Sequence, residues 1–237
     1  MNSQLSLDPP FYGTIFVAPD IYLETDPSCF ASLRALGRGK REMFDRRIDG
    51  VRIDDAYLFE GTFSDGLTLV AQVSSEFAEA WAEALASKYL WAIGQLPTEL
   101  RRGLETVTIN DGLEKFAGGE RGVMIHRLKA EEYARDGILT ETLFHEAVHA
   151  TVDDAWRDDP DWLRMRGEDP TFVSTYARDF PDREDLAESL LLCIAMTQRP
   201  ERLPEGMADL LSSIIPNRIE FFRTRMNWNI DPTSLPT

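Results

Sequence analysis

Histidine and cysteine are the scarcest reactive residues of this chain, with three His and two Cys among 237 residues. Cys29 and Cys193 stand far apart, so they supply neither a disulfide framework nor a cysteine-based zinc site, and are expected as small buried hydrophobes. Positive charge is short as well. Lys and Arg total 25 against 41 Asp and Glu, a formal net charge of −16 with a pI near 4.6. Binding to nucleic acid draws its affinity from Lys and Arg neutralising phosphates, so neither nucleic acid nor an anionic membrane is an expected partner. Long apolar runs are also missing: the longest, residues 190–196, falls far below the roughly 20 residues of a membrane span. The first ten residues lack the basic region and apolar stretch of an export signal, which makes the cytoplasm the default compartment, with secretion left open if a leader has been removed.

What remains is a globular composition, 43% hydrophobic, 28% charged and 10% aromatic, which suffices for a packed core. An α+β chain is expected. Residues 1–73 read as an N-terminal antiparallel β meander packed on the remainder, residues 74–237. Residues 14–17 form a strand candidate, and hairpin turns are expected at Asp49-Gly50 and Ser64-Asp65-Gly66, between runs of alternating apolar residues. The basic run Gly37-Arg38-Gly39-Lys40-Arg41 has no following helix to make a phosphate loop and is expected as a solvated turn. From Ser75 the period changes to 3.6, which predicts a helix ending at Gly94 with Trp81 and Trp91 in the core. Residues 106–109 and 122–126 are further strand candidates, with Gly118-Gly119 as a turn between them. The five Asp of residues 153–161 are expected in a solvated loop.

All three histidines fall within residues 126–149, and two of them close the pentad His145-Glu146-Ala147-Val148-His149. A helix is predicted there on independent grounds. Thr140 is placed to cap it, Leu139 and Phe144 to staple it, and Phe144, Val148, Val152 and Ala155 recur at helical spacing. Four residues advance an α-helix by about 400° and 6 Å, so His145 and His149 share one face and can share one tetrahedral cation. Glu146 stands about 100° around the helix, beside such a cation without ligating it, which suits a general base. For this composition the chance expectation of a His-Glu-x-x-His match is roughly 0.002.

A catalytic zinc takes three protein ligands. No histidine follows His149, so the third is a carboxylate on a later element or else His126 from upstream. Residues 181–189 begin a second predicted helix, with Asp182 as cap, Asp185 completing the pair, and Leu186, Leu190, Cys193 and Ile194 as its buried stripe. Glu184 and Glu188 lie on one face of it. Two carboxylates on an apolar helix are costly to bury unless they meet a cation or a donor. A zinc site meets that need, with Glu184 as ligand and Glu188 accepting from a ligand histidine; Glu188, Asp185 and His126 are the alternatives for the third position.

Residues 145–153, His-Glu-Ala-Val-His-Ala-Thr-Val-Asp, resemble the active-site helix of thermolysin-like gluzincins, and Glu184-Asp185-Leu186-Ala187-Glu188 resembles the glutamate element with which gluzincins, lethal-factor-like toxins included, complete the site. The resemblance covers roughly residues 100–200, and its first motif is far more specific than its second. It implies a zincin-like metalloprotease fold, made of a twisted sheet with an edge strand, the pentad helix and a glutamate helix, as the catalytic domain of residues 74–237. It also implies Zn²⁺ on His145, His149 and Glu184, Glu146 as base, and Glu188 and Asp153 supporting the ligands. By the same resemblance Tyr176, eight residues before Glu184, donates to a developing oxyanion; a packed loop tyrosine is the plainer reading. His126 falls where the edge strand is expected, able to meet substrate or to serve only the structure. The implied activity is zinc-dependent hydrolysis of peptide or protein substrates. A zincin-fold binding or regulatory protein without proteolysis, and a non-peptide amidase, are the alternatives. The 35-residue interval from His149 to Glu184 is longer than in thermolysin, and residues 1–73 resemble nothing in the family.

Overall fold

The structure, a computed structural model, describes residues 7–14 and 21–226; apart from Thr14, the strand expected at residues 14–17 lies outside them. Two compact units account for the described residues: residues 22–151, and residues 152–226 with residues 7–14 and 21. The first unit is built on six strands, β1 (Phe30–Asp45), β2 (Gly50–Phe63), β3 (Thr68–Val73), β4 (Thr106–Asn110), β5 (Ala117–Gly119) and β6 (Gly122–His126), in the sheet order β1-β2-β3-β4-β6-β5. Helices α1 (Glu79–Ile93), α2 (Thr98–Gly103), α3 (Arg127–Arg135) and α4 (Leu139–Thr151) complete it. The sheet is mixed: β3, β4 and β6 run parallel, while β1–β2, β2–β3 and β5–β6 are antiparallel. The α+β class is as expected, and the strands on either side of residue 73 share this one sheet.

Local chemistry explains the hairpins. Asp49 adopts φ 47° ahead of Gly50, and Gly66 at φ +86° closes the second turn with its N–H on the Phe63 carbonyl at 2.9 Å. Residues 37–41 are not a turn. They lie within β1, paired from Gly37↔Leu58 to Arg41↔Asp54, with a register shift between Ala35 and Gly37. A bulge and exposed basic side chains are tolerated on an outermost strand, where they discourage pairing with other chains.

Helix α1 begins four residues later than the period predicts, because Ser74 donates its N–H to Ile109 and Phe77 turns back to Ser74. Its buried face is Ala82, Leu85, Ala86, Tyr89, Leu90 and Ile93, which turns Trp81 and Trp91 outward at 49% and 44% exposure; neither belongs to the core. Helices α1 and α4 pack on each other and on the sheet, α1 over β2 and β3 and α4 over β5 and β6.

The second unit is helical, with α5 (Asp153–Trp156), α6 (Pro160–Glu168), α7 (Thr175–Asp179), α8 (Asp185–Gln198), α9 (Met207–Ile214) and α10 (Pro216–Arg225). The acidic stretch expected as a loop forms α5 and the start of α6. Asp159 accepts from the Asp161 and Trp162 amides and Pro160 takes the first helical position, so capping decides the local structure. Trp162 packs on Phe221 and Phe222 with centroids 5.2 and 5.4 Å away. Beside this cluster the buried Arg218 pairs with Asp169 at 2.8 Å and Asp185 at 3.0 Å. Cys29 and Cys193 are free and buried, as expected. No helix among the described residues is long and apolar enough to cross a membrane.

A second charged cluster, in the first unit, ties the β1–β2 hairpin to the strand ends. Buried Asp45 accepts from Arg47 at 2.6 Å and Arg52 at 3.1 Å, and buried Asp54 meets Arg52 at 2.7 Å and the Ser74 hydroxyl at 3.0 Å. Burial by itself raises both carboxyls. Hydrogen bonds from Arg47 at Asp45, and from Ser75 and Ser74 with the Arg52 charge at Asp54, outweigh it and hold both below the usual carboxylate range. A depressed folded-state pKa contributes stability that is present above the unfolded value, about 3.9, and lost as pH falls through the folded value. The Asp45→Asn/Asp54→Asn variant is therefore expected to be less stable than wild type at pH 7 and to lose less further stability below about pH 4. Urea midpoints measured across that range check this; parallel curves for the two proteins contradict it.

Candidate metal centre

The pentad lies in α4, where Leu143, Phe144, Ala147 and Val148 are buried. Neither the cap nor the staple forms as expected. Leu139 is already helical, Thr142 bonds back to the Ile138 carbonyl, and the Thr140 hydroxyl instead donates to Gln95 Oε1 at 2.9 Å, fastening α4 beside α1. The helical spacing brings the Nε2 atoms of His145 and His149 to 3.1 Å, with the rings edge-on at 81°. Two nitrogens bound tetrahedrally to one zinc at 2.0–2.1 Å stand about 3.3 Å apart, so the observed separation fits a shared cation. His145 is buried, while His149 and Glu146 are half-buried.

The outermost strand β5 runs against this helix. A Cβ built on Gly118 falls 1.8 Å from the Glu146 carbonyl oxygen, so only glycine lets the two backbones approach this closely. Residues 118–119, expected as a turn, are the edge strand. His126, placed at the edge by the sequence, lies on β6 between β4 and β5. Its ring is fully buried, its Nδ1–H donates to the Asp111 carbonyl at 2.8 Å, and its Nε2 faces Asp45 at 3.7 Å. Such a ring braces the strand ends and presents no surface to a substrate. Tyr133, which the sequence did not single out, packs edge-on against Phe116, and burial first and the Glu146 charge second raise its hydroxyl above the usual range.

Within the second unit, Glu184 occupies the N-cap position of α8 and is 5% exposed. Its Oε1 accepts from the Tyr176 hydroxyl at 2.9 Å and from Arg183 Nε at 2.8 Å. The Tyr176 hydroxyl is thus engaged in holding Glu184, and burial and the Glu184 charge raise its pKa. Glu188, one turn on and buried, accepts from the Ser174 hydroxyl at 2.7 Å, while Ser174 Oγ also caps α7 by accepting from Ala177. The expected cap by Asp182 is absent: that side chain pairs with Arg166 at 2.9 Å. Asp185 is taken by Arg218, which removes it from the alternatives for a ligand. Asp153 opens α5 and is buried. Ser174 and Arg183 are polar partners that spacing did not single out; the Ser-x-x-Ala start of α7 marks Ser174 as an N-cap, and nothing comparable marks Arg183.

Among the described residues, His145 and His149 of the first unit and Glu184 of the second are the side chains that could hold a metal ion. No family model, curated protein or solved structure matches the chain.

The Gly118 contact gives a paired test. Gly118→Ala is expected to cost about 1–3 kcal/mol, because backbone must move to admit the methyl. Gly119→Ala, where a Cβ meets nothing within 4 Å, is expected to be close to neutral. Equal urea midpoints for the two variants contradict the close approach.

Proposed function

We propose that this chain is a zinc-dependent metallopeptidase-like hydrolase of the gluzincin type, with His145, His149 and Glu184 as metal ligands and Glu146 as general base. The observation that carries the reading is the pair of imidazole nitrogens 3.1 Å apart on one helix face, to which the buried Glu184 of the glutamate helix would add a carboxylate. Two His and one carboxylate suit zinc and leave a further position open on a tetrahedral ion. When bound, zinc supplies Lewis acidity, polarising a carbonyl and lowering the pKa of water toward neutrality.

The side chains divide the remaining work. Glu146, next to a ligand but turned about 100° from it, takes a proton from the attacking water and passes it to the leaving amine. Tyr176 and Arg183 orient Glu184 through Oε1, the kind of support that fixes a ligand's position. A peptide substrate is favoured by β5, the outermost strand of the sheet, whose backbone lies against Glu146. A strand edge of this kind accepts an extended chain by main-chain hydrogen bonding.

Wild type is expected to bind zinc near one ion per chain and to cleave members of a quenched-fluorescent peptide library. His149→Ala is expected to lose the ion. Glu146→Gln is expected to keep it and to lose turnover by about 10²- to 10⁴-fold. Turnover by Glu146→Gln at the wild-type rate would falsify the assignment of the base. A zinc-loaded wild type that cleaves no peptide favours the non-proteolytic alternative.

A further inference from the structure

Residues 11–13 run alongside residues 174–176 in the second unit. Phe11 and Ser174 form a parallel bridge, the Thr175 amide donates to the Phe11 carbonyl at 2.9 Å, and the Tyr176 amide donates to the Gly13 carbonyl at 3.3 Å. The Gly13 amide in turn donates to Thr175 Oγ1 at 2.8 Å, across 162 residues of sequence. Three residues before Ser174, the Thr171 hydroxyl donates to the Leu7 carbonyl. Gly13 adopts φ +76°, a conformation that a side chain strains, and it lets the segment bond on both sides of Thr175.

The three residues held in this way carry two hydroxyls that meet the carboxylates of the glutamate helix. Ser174 donates to Glu188 at 2.7 Å and Tyr176 donates to Glu184 at 2.9 Å. Helix α7 is five residues long, too short to hold its own conformation in water, so the direction of the Tyr176 hydroxyl depends on what its first turn is tied to. Besides the Ser174 cap and the packing of the Tyr176 ring on Phe180, the ties are the Phe11 and Gly13 backbone groups.

We infer that residues 11–13 are a positioning strap for the metal centre: they fix Thr175 and Tyr176, and through the Tyr176 hydroxyl they fix the ligand Glu184. This rests on the proposed metal-binding reading. The strap makes no contact with the ion; it acts by limiting the positions open to a ligand before the ion arrives. Outer partners of this kind typically change metal affinity by about 10- to 100-fold.

The test is zinc affinity of the metal-free full chain, measured by competition with a chromophoric chelator. Thr175→Val, which removes the acceptor of the Gly13 amide, is expected to bind zinc about 10-fold more weakly, and Thr175→Ser, which keeps an oxygen, to bind close to wild type. Tyr176→Phe is expected to lose a similar factor. The double variant Thr175→Val/Tyr176→Phe is expected to be no weaker than Tyr176→Phe alone, because both changes break one chain of contacts. If circular dichroism shows Thr175→Val unfolded, Gly13→Ala carries the same comparison, since it strains the backbone where a Cβ meets nothing within 4 Å. Wild-type affinity in the strap variant, or losses that multiply in the double variant, overturns the strap. If wild type binds zinc through His149 while the strap variant is silent, only the strap fails. If wild type binds no zinc, the metal reading fails and takes the strap with it.

Discussion

Two imidazole nitrogens face each other at 3.1 Å on one turn of helix. Two lone pairs at that distance repel unless a proton or a cation lies between them, and an α-helix holds the Cβ atoms of residues four apart about 6 Å from each other. Helix α4 is poorly placed to unwind. Phe144, Ala147 and Val148 are buried, the Thr140 hydroxyl is bonded to Gln95, and β5 lies against the Glu146 carbonyl through Gly118. Packing therefore fixes the backbone that presents the two rings side by side, the pair proposed as ligands. Sites built on a rigid element hold their positions better than sites built on loops.

Glu184, the carboxylate proposed to join them, is held differently. Glu184 stands at the first turn of α8, where packing alone leaves a side chain several rotamers. Two donors, Tyr176 and Arg183, converge on one of its oxygens. The Arg183 side chain is 64% exposed, so its charge is screened by solvent and its hold is weak. The Tyr176 hydroxyl is the more restrained donor, since its backbone is tied to residues 11–13. A helix presents one half of the proposed donor set and a chain of hydrogen bonds orients the other, so the two halves are expected to respond to different substitutions.

These differences also explain what could be read from the amino acids. Strands β2, β3, β4 and β6 announce themselves by alternation and turn residues, and the pentad by a spacing that has one meaning on a helix. Strand β5 does not, because Ala117-Gly118-Gly119 has no side-chain pattern; it is a strand through main-chain pairing with β6, and its glycine is there for the approach to α4. Trp81 and Trp91 misled because apolar period and burial separate on a helix whose core face is made of Ala, Leu and Tyr. For His126 the sequence left two readings open, contact with substrate on an expected edge strand or a purely structural ring, and a register that pairs it with Asn110 buries it beside Asp45. The function of Tyr176 depended on which acceptor its hydroxyl reaches, and no spacing rule encodes that.

The acids of residues 182–188 show where pattern stops and environment takes over. Asp182, Glu184, Asp185 and Glu188 carry the same charge on adjacent turns, and by spacing Glu184, Asp185 and Glu188 all qualify as a third ligand. Their partners separate them. Asp182 is 80% exposed and turned to Arg166, so it lies outside the buried group. Asp185 is fully buried against Arg218, whose two nitrogens at 3.1 and 3.0 Å converge on Oδ2 in the low-dielectric interior. A carboxylate neutralised in that way has little to offer a second cation, and removing it from Arg218 would leave a buried charge uncompensated, at a cost of about 3–5 kcal/mol. Glu188 is buried on a serine hydroxyl. Glu184 accepts from the half-buried Tyr176, a neutral hydroxyl that orients a carboxylate without cancelling its charge. Among acids that sequence cannot rank, a buried arginine marks the one already satisfied, whereas the hydroxyls that meet Glu184 and Glu188 orient a carboxylate without cancelling its charge.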